Sequence, residues 1–156
     1  TDSRKCFEFY NGSVLRLGYL DSENDTARYQ GMEYDVIAID EATQLTEYQF
    51  QTLKATLRGT NGYPKRMYLT CNPGGVGHGW VKRLFIDRDY REGEKAEDYA
   101  FIPASVYDNP ALLESDPDYL EQLKSLPKGL REAWLDGSWG GYTTTALQRA
   151  INAGVL

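Results

Sequence analysis

The sequence predicts an α/β domain around a mostly parallel sheet, and three observations predict it. Val36-Ile37-Ala38-Ile39 is a short apolar run rich in β-branched residues. It is too short for a helix and reads as a strand covered on both faces. A helical pattern follows, with Phe50, Leu53 and Leu57 sharing one face. A second strand pattern, Arg66 to Cys71, comes next. Two strands joined through a helix form a βαβ unit, expected to be parallel with a right-handed crossover.

Phe7 and Phe9 alternate before Asn11-Gly12, and Leu15, Leu17 and Tyr19 alternate after it, which predicts a β-hairpin over Cys6 to Tyr19. Asp21 to Arg28 is polar and acidic and reads as a loop. In the helix after the first buried strand, Thr46 is the expected N-cap and Gln49 its capping-box partner. Leu45 and Phe50 have hydrophobic-staple spacing, and Gly59 is the expected end. Asn72-Pro73 stops the second strand. Trp80, Val81, Leu84 and Phe85 predict another amphipathic helix, and Tyr99 to Ala104 a further strand. Asp116 and Pro117 open a third helix with Tyr119, Leu120 and Leu123 inward. Leu130 to Leu135 predicts a fourth, stopped near Gly137.

The chain has 156 residues, 41% of them hydrophobic, which suits one domain with its own core. It lacks a long apolar run of membrane-spanning length and a secretory leader pattern. Its two cysteines, Cys6 and Cys71, read as reduced thiols of a cytoplasmic chain. A net charge of -6 argues against strong autonomous DNA affinity. The basic pairs Lys65-Arg66 and Lys82-Arg83 read as solvated surface.

The chemistry concentrates at the strand ends. The first buried strand runs into Asp40 and Glu41. A buried carboxylate needs a compensating partner, and a metal ion beside a triphosphate supplies one at the carboxyl ends of parallel strands. This is the form of the Walker B element of P-loop ATPases. Asp40 is the expected Mg²⁺ ligand, acting largely through water. Glu41 is the expected base that orients and deprotonates the attacking water. As successive strand residues, the two are expected to face opposite ways. The next strand ends in Thr70-Cys71-Asn72-Pro73. Thr70 and Asn72 are expected to touch the γ-phosphate or the lytic water and report on its presence.

Gly74, Gly75, Gly77 and Gly79 surround His78, the single histidine. Without a Gly-Lys-Ser/Thr ending this segment is not a phosphate loop, and it reads as a mobile loop. One histidine without metal-binding neighbours makes a poor zinc site, and no Gly-x-Ser-x-Gly elbow supports a serine triad. The Walker A pattern Gly-x-x-x-x-Gly-Lys-Ser/Thr occurs nowhere in the chain. Without its amides and lysine, the chain by itself is expected to bind ATP poorly and hydrolyse it negligibly.

Taken together, these motifs resemble the large terminase subunit of tailed bacteriophages, the ATPase that drives DNA packaging. The resemblance rests on Asn11-Gly12-Ser13, Gly31-Met32-Glu33-Tyr34-Asp35, Ile39-Asp40-Glu41-Ala42 and Leu69-Thr70-Cys71-Asn72-Pro73. It continues through His78, Trp80, Lys82 and Phe85, then Tyr107-Asp108-Asn109-Pro110 and Leu135-Asp136-Gly137-Ser138-Trp139. It implies a three-layer α/β sandwich of the P-loop class with the additional catalytic-glutamate strand, incomplete because the Walker A part is missing. Residues 1–139 are then expected to be the second half of the ATPase domain. Residues 140–156 are expected to be a tail, with the nuclease domain absent. The hairpin is expected at one sheet edge, and the missing strands are expected to leave an exposed apolar flank. The resemblance further implies ATP and Mg²⁺ as cofactors, Asp40 as the magnesium aspartate and Glu41 as the catalytic glutamate. The segment from Thr70 to Asn72 would be the coupling motif. Implied partners are double-stranded DNA, a portal protein, a small terminase subunit and further copies in a ring, in the cytoplasm of the bacterial host. Two other readings stand beside it: another P-loop enzyme such as a helicase core, and a non-enzymatic remnant or interaction module.

Overall fold

The computed structural model describes residues 6–140, so the tail expected at 140–156 lies outside the described residues beyond Gly140. The hairpin forms as expected, with β1 (Cys6–Glu8) antiparallel to β2 (Val14–Arg16). Gly12 supplies the positive φ of 83° that its turn requires. The strands are shorter than the alternation suggested. Among the described residues they pair with each other only, so there the hairpin is a separate sheet and not the edge of a larger one. Its apolar side chains, among them Phe7, Phe9, Leu15 and Leu17, are exposed.

Residues 21–28, expected as a loop, instead contain a 3₁₀ helix over Glu23–Tyr29. Ser22 caps it: the Asp25 carboxylate accepts from both its backbone N–H and its hydroxyl, each at 2.9 Å. This Ser-x-x-Asp variant of the capping box is the signal that the acidic composition obscured.

The parallel βαβ unit is present. Strand β3 (Val36–Ile39) pairs in parallel with β4 (Arg66–Leu69), Ile37 opposite Met67 and Ile39 opposite Leu69. Helix α1 (Glu47–Lys54) connects them, opened by the Thr46–Gln49 capping box. The helix ends at Ala55, short of Gly59. Tyr34 donates to the Thr56 carbonyl at 2.9 Å and forms a parallel bridge with Leu57, which draws the backbone out of the helix. The chain is thus α/β, with one parallel and one antiparallel two-stranded sheet among the described residues.

The expectation that β3 is covered on both faces is corrected. Ile39, Met67 and Leu69 face a core of Ala42, Phe50, Trp80, Val81, Leu84, Tyr99 and Trp139. On the other face Val36 is 54% exposed and Tyr68 55%. An all-apolar tetrapeptide has no alternation to reveal which face is covered, and the described helices cover only one.

The second helical pattern is α2 (His78–Val81), which continues directly into a π-helical turn over Lys82–Asp87. Such turns widen a helix by one residue. Trp80, Val81 and Leu84 from this stretch are buried. Phe50 stacks on Trp80 with centroids 4.4 Å apart. Arg83 from the π turn donates to Glu47 at 2.9 Å and to Glu94 at 2.7 Å, so it is ion-paired where solvated surface was expected; Lys82 and Lys65 pair with Asp87 and Asp35, and Arg66 is exposed as expected. The hydrogen bonds from Arg83 hold the Glu94 carboxyl down to about 2.

Tyr99 to Ala104, expected as a strand, makes no ladder among the described residues. Tyr99 is buried, lying edge-on to Phe85 and stacked on Tyr90, while Ile102 is exposed. An apolar run becomes a strand only when another backbone pairs with it. Three helices close the described chain: α3 (Pro110–Ser115), α4 (Asp118–Ser125) and α5 (Lys128–Trp134). Helix α3 was not expected, although Asn109-Pro110 is the same kind of signal as Asp116-Pro117; the Asn109 side chain caps Leu112. After α5, Gly137 takes a φ of 62°, as expected of a helix stop.

Leu84 has no exposed surface and lies at the centre of the helical layer. Its truncation in Leu84→Ala is expected to cost about 2–5 kcal/mol in urea unfolding. The exposed Tyr48→Ala on α1 is expected to shift stability by no more than about 0.5 kcal/mol. Equal effects of the two substitutions would contradict this placement of the core.

Candidate functional site

The two strand exits meet. Beyond the last paired residues, Thr70 donates its N–H to the Ile39 carbonyl at 3.0 Å, and Ala42 donates to the Thr70 carbonyl at 2.8 Å. The ladder therefore extends one step past β3 and β4, and it brackets the acidic pair. The Thr70 hydroxyl donates to the Asp40 carboxylate and accepts from the Glu41 backbone N–H at 3.3 Å. One side chain from the second strand exit thus touches both acids of the first.

Asp40 and Glu41 are exposed, so burial of a lone carboxylate is not what this site has to offset. The expected strand alternation between them is also corrected, because Glu41 lies past the strand in the left-handed region, at φ 54° and ψ 49°. That conformation costs a non-glycine residue about 1–3 kcal/mol and persists where its surroundings impose it. Here the bonds from Thr70 hold its near side. On its far side the Glu41 carbonyl accepts from Gln44 at 2.8 Å, opening a 3₁₀ turn over Ala42–Gln44. The turn swings the backbone away from the strand direction at the second acid. Neighbouring Cys71 is a free thiol, as is Cys6. Burial first, and the Glu41 charge second, push the Cys71 thiol above its usual range.

Asn72 is brought close through its backbone. Its carbonyl accepts from the Thr43 hydroxyl at 3.0 Å, and its side chain is exposed. Thr43, only 1% exposed, was missed from the sequence; a threonine two residues after the acids carries no pattern that announces burial. At the opposite end of the strand pair, Lys65 donates to Asp35 at 2.7 Å and Arg66 donates to the Asp35 carbonyl at 3.0 Å. The Lys65 and Asn61 hydrogen bonds hold the Asp35 carboxyl below its usual value.

The glycine-rich segment, expected as a mobile loop, is seated against this site. Gly77 donates to the Thr43 carbonyl at 2.7 Å, and the Trp80 indole donates to the Leu45 carbonyl at 2.8 Å. A Cβ on Gly75 would collide with the Thr43 carbonyl, and one on Gly77 with the Leu45 carbonyl. These glycines are therefore required by close backbone approach. His78 is buried, accepts at Nδ1 from the Gly74 N–H at 3.1 Å and stacks on Trp139 with centroids 5.3 Å apart. The accepting Nδ1 makes this the neutral tautomer with its proton on Nε2.

Asp40 and Thr70 offer a carboxylate and a hydroxyl, the hard oxygen donors magnesium prefers. Among the described residues there is no group of three or more His, Cys, Asp or Glu that could hold a metal. A cation at Asp40 would take the rest of its shell from phosphate oxygens and water, which is the habit of magnesium in nucleotide sites. The donor set fits that group.

Comparison with family models matches residues 2–152 to the N-terminal part of the terminase large subunit, T4likevirus-type. No curated protein and no solved structure matches. No helix among the described residues is long and apolar enough to cross a membrane.

Burial, and next the positive charge of Lys82, lower the pKa of His78, while a hydrogen bond to the Trp139 backbone and the charge of Asp87 act against them. The unfolded chain therefore takes up the proton first. Stability is expected to be full above about pH 6.5 and to fall as pH drops from there towards the lower folded value. Urea midpoints measured across this range should show the slope in the native chain and a reduced slope in His78→Gln. An unchanged slope in the variant would assign the effect to other groups.

Proposed function

The chain belongs to the family of terminase large subunits, in their N-terminal T4-like part, and on that premise we propose that it forms the Walker B half of a P-loop-type ATPase site that powers packaging. Membership carries a role in phage DNA packaging, with DNA and packaging proteins as partners in general. The finer reading assigns the work to Asp40, Glu41, Thr70 and Asn72. A ring of copies on a portal protein, fed by a small subunit in the host cytoplasm, is the setting this reading implies.

The observation that carries it is the position of the Thr70 hydroxyl, between the Asp40 carboxylate and the Glu41 backbone N–H. Parallel strand exits are where nucleotide sites form, and here the Thr70 side chain reaches from one exit to both acids of the other. Asp40 would hold Mg²⁺ with its carboxylate. Magnesium, when bound with the nucleotide, supplies positive charge that offsets the charge developing on the phosphates. Glu41 accepts the proton of the attacking water at a carboxylate oxygen, and its left-handed backbone fixes where that carboxylate departs from the strand. Thr70 has a donor engaged with Asp40 in this state. A phosphate oxygen or water arriving at Asp40 competes for that same hydroxyl, which supports its reading as a sensor. Asn72 presents an exposed side chain at the second exit, next to Cys71 and Thr70 in the chain, which supports reading it as a contact to the same ligand.

In a terminase large subunit carrying these residues together with a Walker A loop, Glu41→Gln is expected to lower kcat for ATP hydrolysis by about 10²–10⁴-fold. Nucleotide affinity should change little, because the substitution keeps shape and removes only the base. Asp40→Asn should instead raise the Mg²⁺ concentration needed for half-maximal activity. Undiminished turnover in Glu41→Gln would sink the assignment of the base.

A further inference from the structure

We propose that Thr43 is a positioning residue for this hydrolysis: it locks the turn that carries Glu41 to the backbone of Asn72 and to the head of α2. The inference rests on the reading of Glu41 as the base. It is carried by a different observation, the bonding of a buried threonine that the proposed chemistry does not use.

Thr43 lies two residues beyond Glu41, inside the 3₁₀ turn that begins at the left-handed residue. Among the described residues it ranks with Leu84 as the largest side chain with almost no exposed surface, and Leu84 is wholly apolar. Burying a hydroxyl is unfavourable unless it is hydrogen-bonded, and this one donates to the Asn72 carbonyl at 3.0 Å. The Thr43 carbonyl accepts from Gly77 at 2.7 Å, immediately before α2. Gly75 is close enough that any Cβ there would strike that carbonyl. Thr43 therefore joins the first strand exit, the second strand exit and the glycine-rich segment through two groups of one residue.

Glu41 itself is held on its strand side by Thr70. Beyond Glu41, the Ala42 N–H bond to the Thr70 carbonyl at 2.8 Å begins to anchor the 3₁₀ turn, and the left-handed conformation persists only while its surroundings hold it. The Thr43 hydroxyl supplies an anchor on the very segment, Thr70 to Asn72, whose side chains are read as facing the phosphate. Displacement of the Asn72 backbone is then passed to the turn that follows Glu41 through the Thr43 hydrogen bond, beside the bonds that Thr70 makes. Misplacement of a reacting group by about 1 Å can cost 10²-fold in rate. Loss of this bond should accordingly act on turnover and leave substrate binding nearly intact.

The test compares Thr43→Val, which keeps the shape and removes the hydroxyl, with Thr43→Ser, which keeps the hydroxyl and removes the methyl. Both are made in a terminase large subunit carrying these residues, with Glu41→Gln as reference and thermal unfolding to check folding. The expected result is a fall in kcat of about 10- to 100-fold in Thr43→Val, with KM for ATP little changed and turnover largely retained in Thr43→Ser. Equal turnover in Val and Ser variants overturns the role of the hydroxyl. A rise in KM with kcat unchanged also overturns it, since that would place Thr43 in binding. If Thr43→Val fails to fold, Thr43→Ala against Thr43→Ser makes the same comparison, as these two differ by one oxygen. Full turnover in Glu41→Gln removes the premise itself, whereas an inactive Glu41→Gln with a fully active Thr43→Val removes only this inference.

Discussion

The parallel pairing of β3 with β4 is the constraint on which the rest of the molecule depends. It is closed at both ends. At the entry, Lys65 and the Arg66 backbone grip Asp35. At the exit, Thr70 continues the ladder and binds both acids. A short parallel pair is weak by itself, because its bonds are slanted and few. Clamping its two ends sets the register, and a one-residue slip of β4 against β3 would turn Leu69 to the exposed face. The same register sets Thr70 beside Asp40.

From that pair the layer above follows. The chain leaving β3 must turn at once into the 3₁₀ segment to reach Thr46, and the cost of the turn falls on Glu41. The chain leaving β4 must pass over the same segment before α2 begins, and close approach there admits only glycine at Gly75 and Gly77. Trp80 then seals the junction, donating to Leu45 while stacking on Phe50. The site and the core thus share a boundary of backbone bonds. Gly75 and Gly77 lie against the turn that follows the acids and not against the acids themselves.

Much of this was legible in the residues, and the failures are instructive. Asn11-Gly12, the Thr46–Gln49 box and the acids after Ile39 each act through local geometry, and local geometry is written in local sequence. The α/β class follows from the same signals. The end of α1 was misplaced because Tyr34, far back in the chain, competes for its backbone at Thr56 and Leu57. The strand expected at Tyr99 failed because pairing requires a neighbour, which no single run can declare. At the site, the meeting of Asp40, Glu41 and Thr70 was readable from the crossover between two strands. The left-handed Glu41 and the buried Thr43 were not, since both are imposed by the second strand exit packing over the first.

The central claim is that Asp40, Glu41 and Thr70 form one nucleotide-handling site. Its most direct measurement is a crystal structure of a terminase large subunit carrying these residues, with a hydrolysis-resistant ATP analogue and Mg²⁺ bound. The metal is expected at the Asp40 carboxylate, directly or through water, with the Glu41 carboxylate beside the water in line with the terminal phosphate. A nucleotide bound elsewhere, with Asp40 and Glu41 both facing bulk solvent, would contradict it.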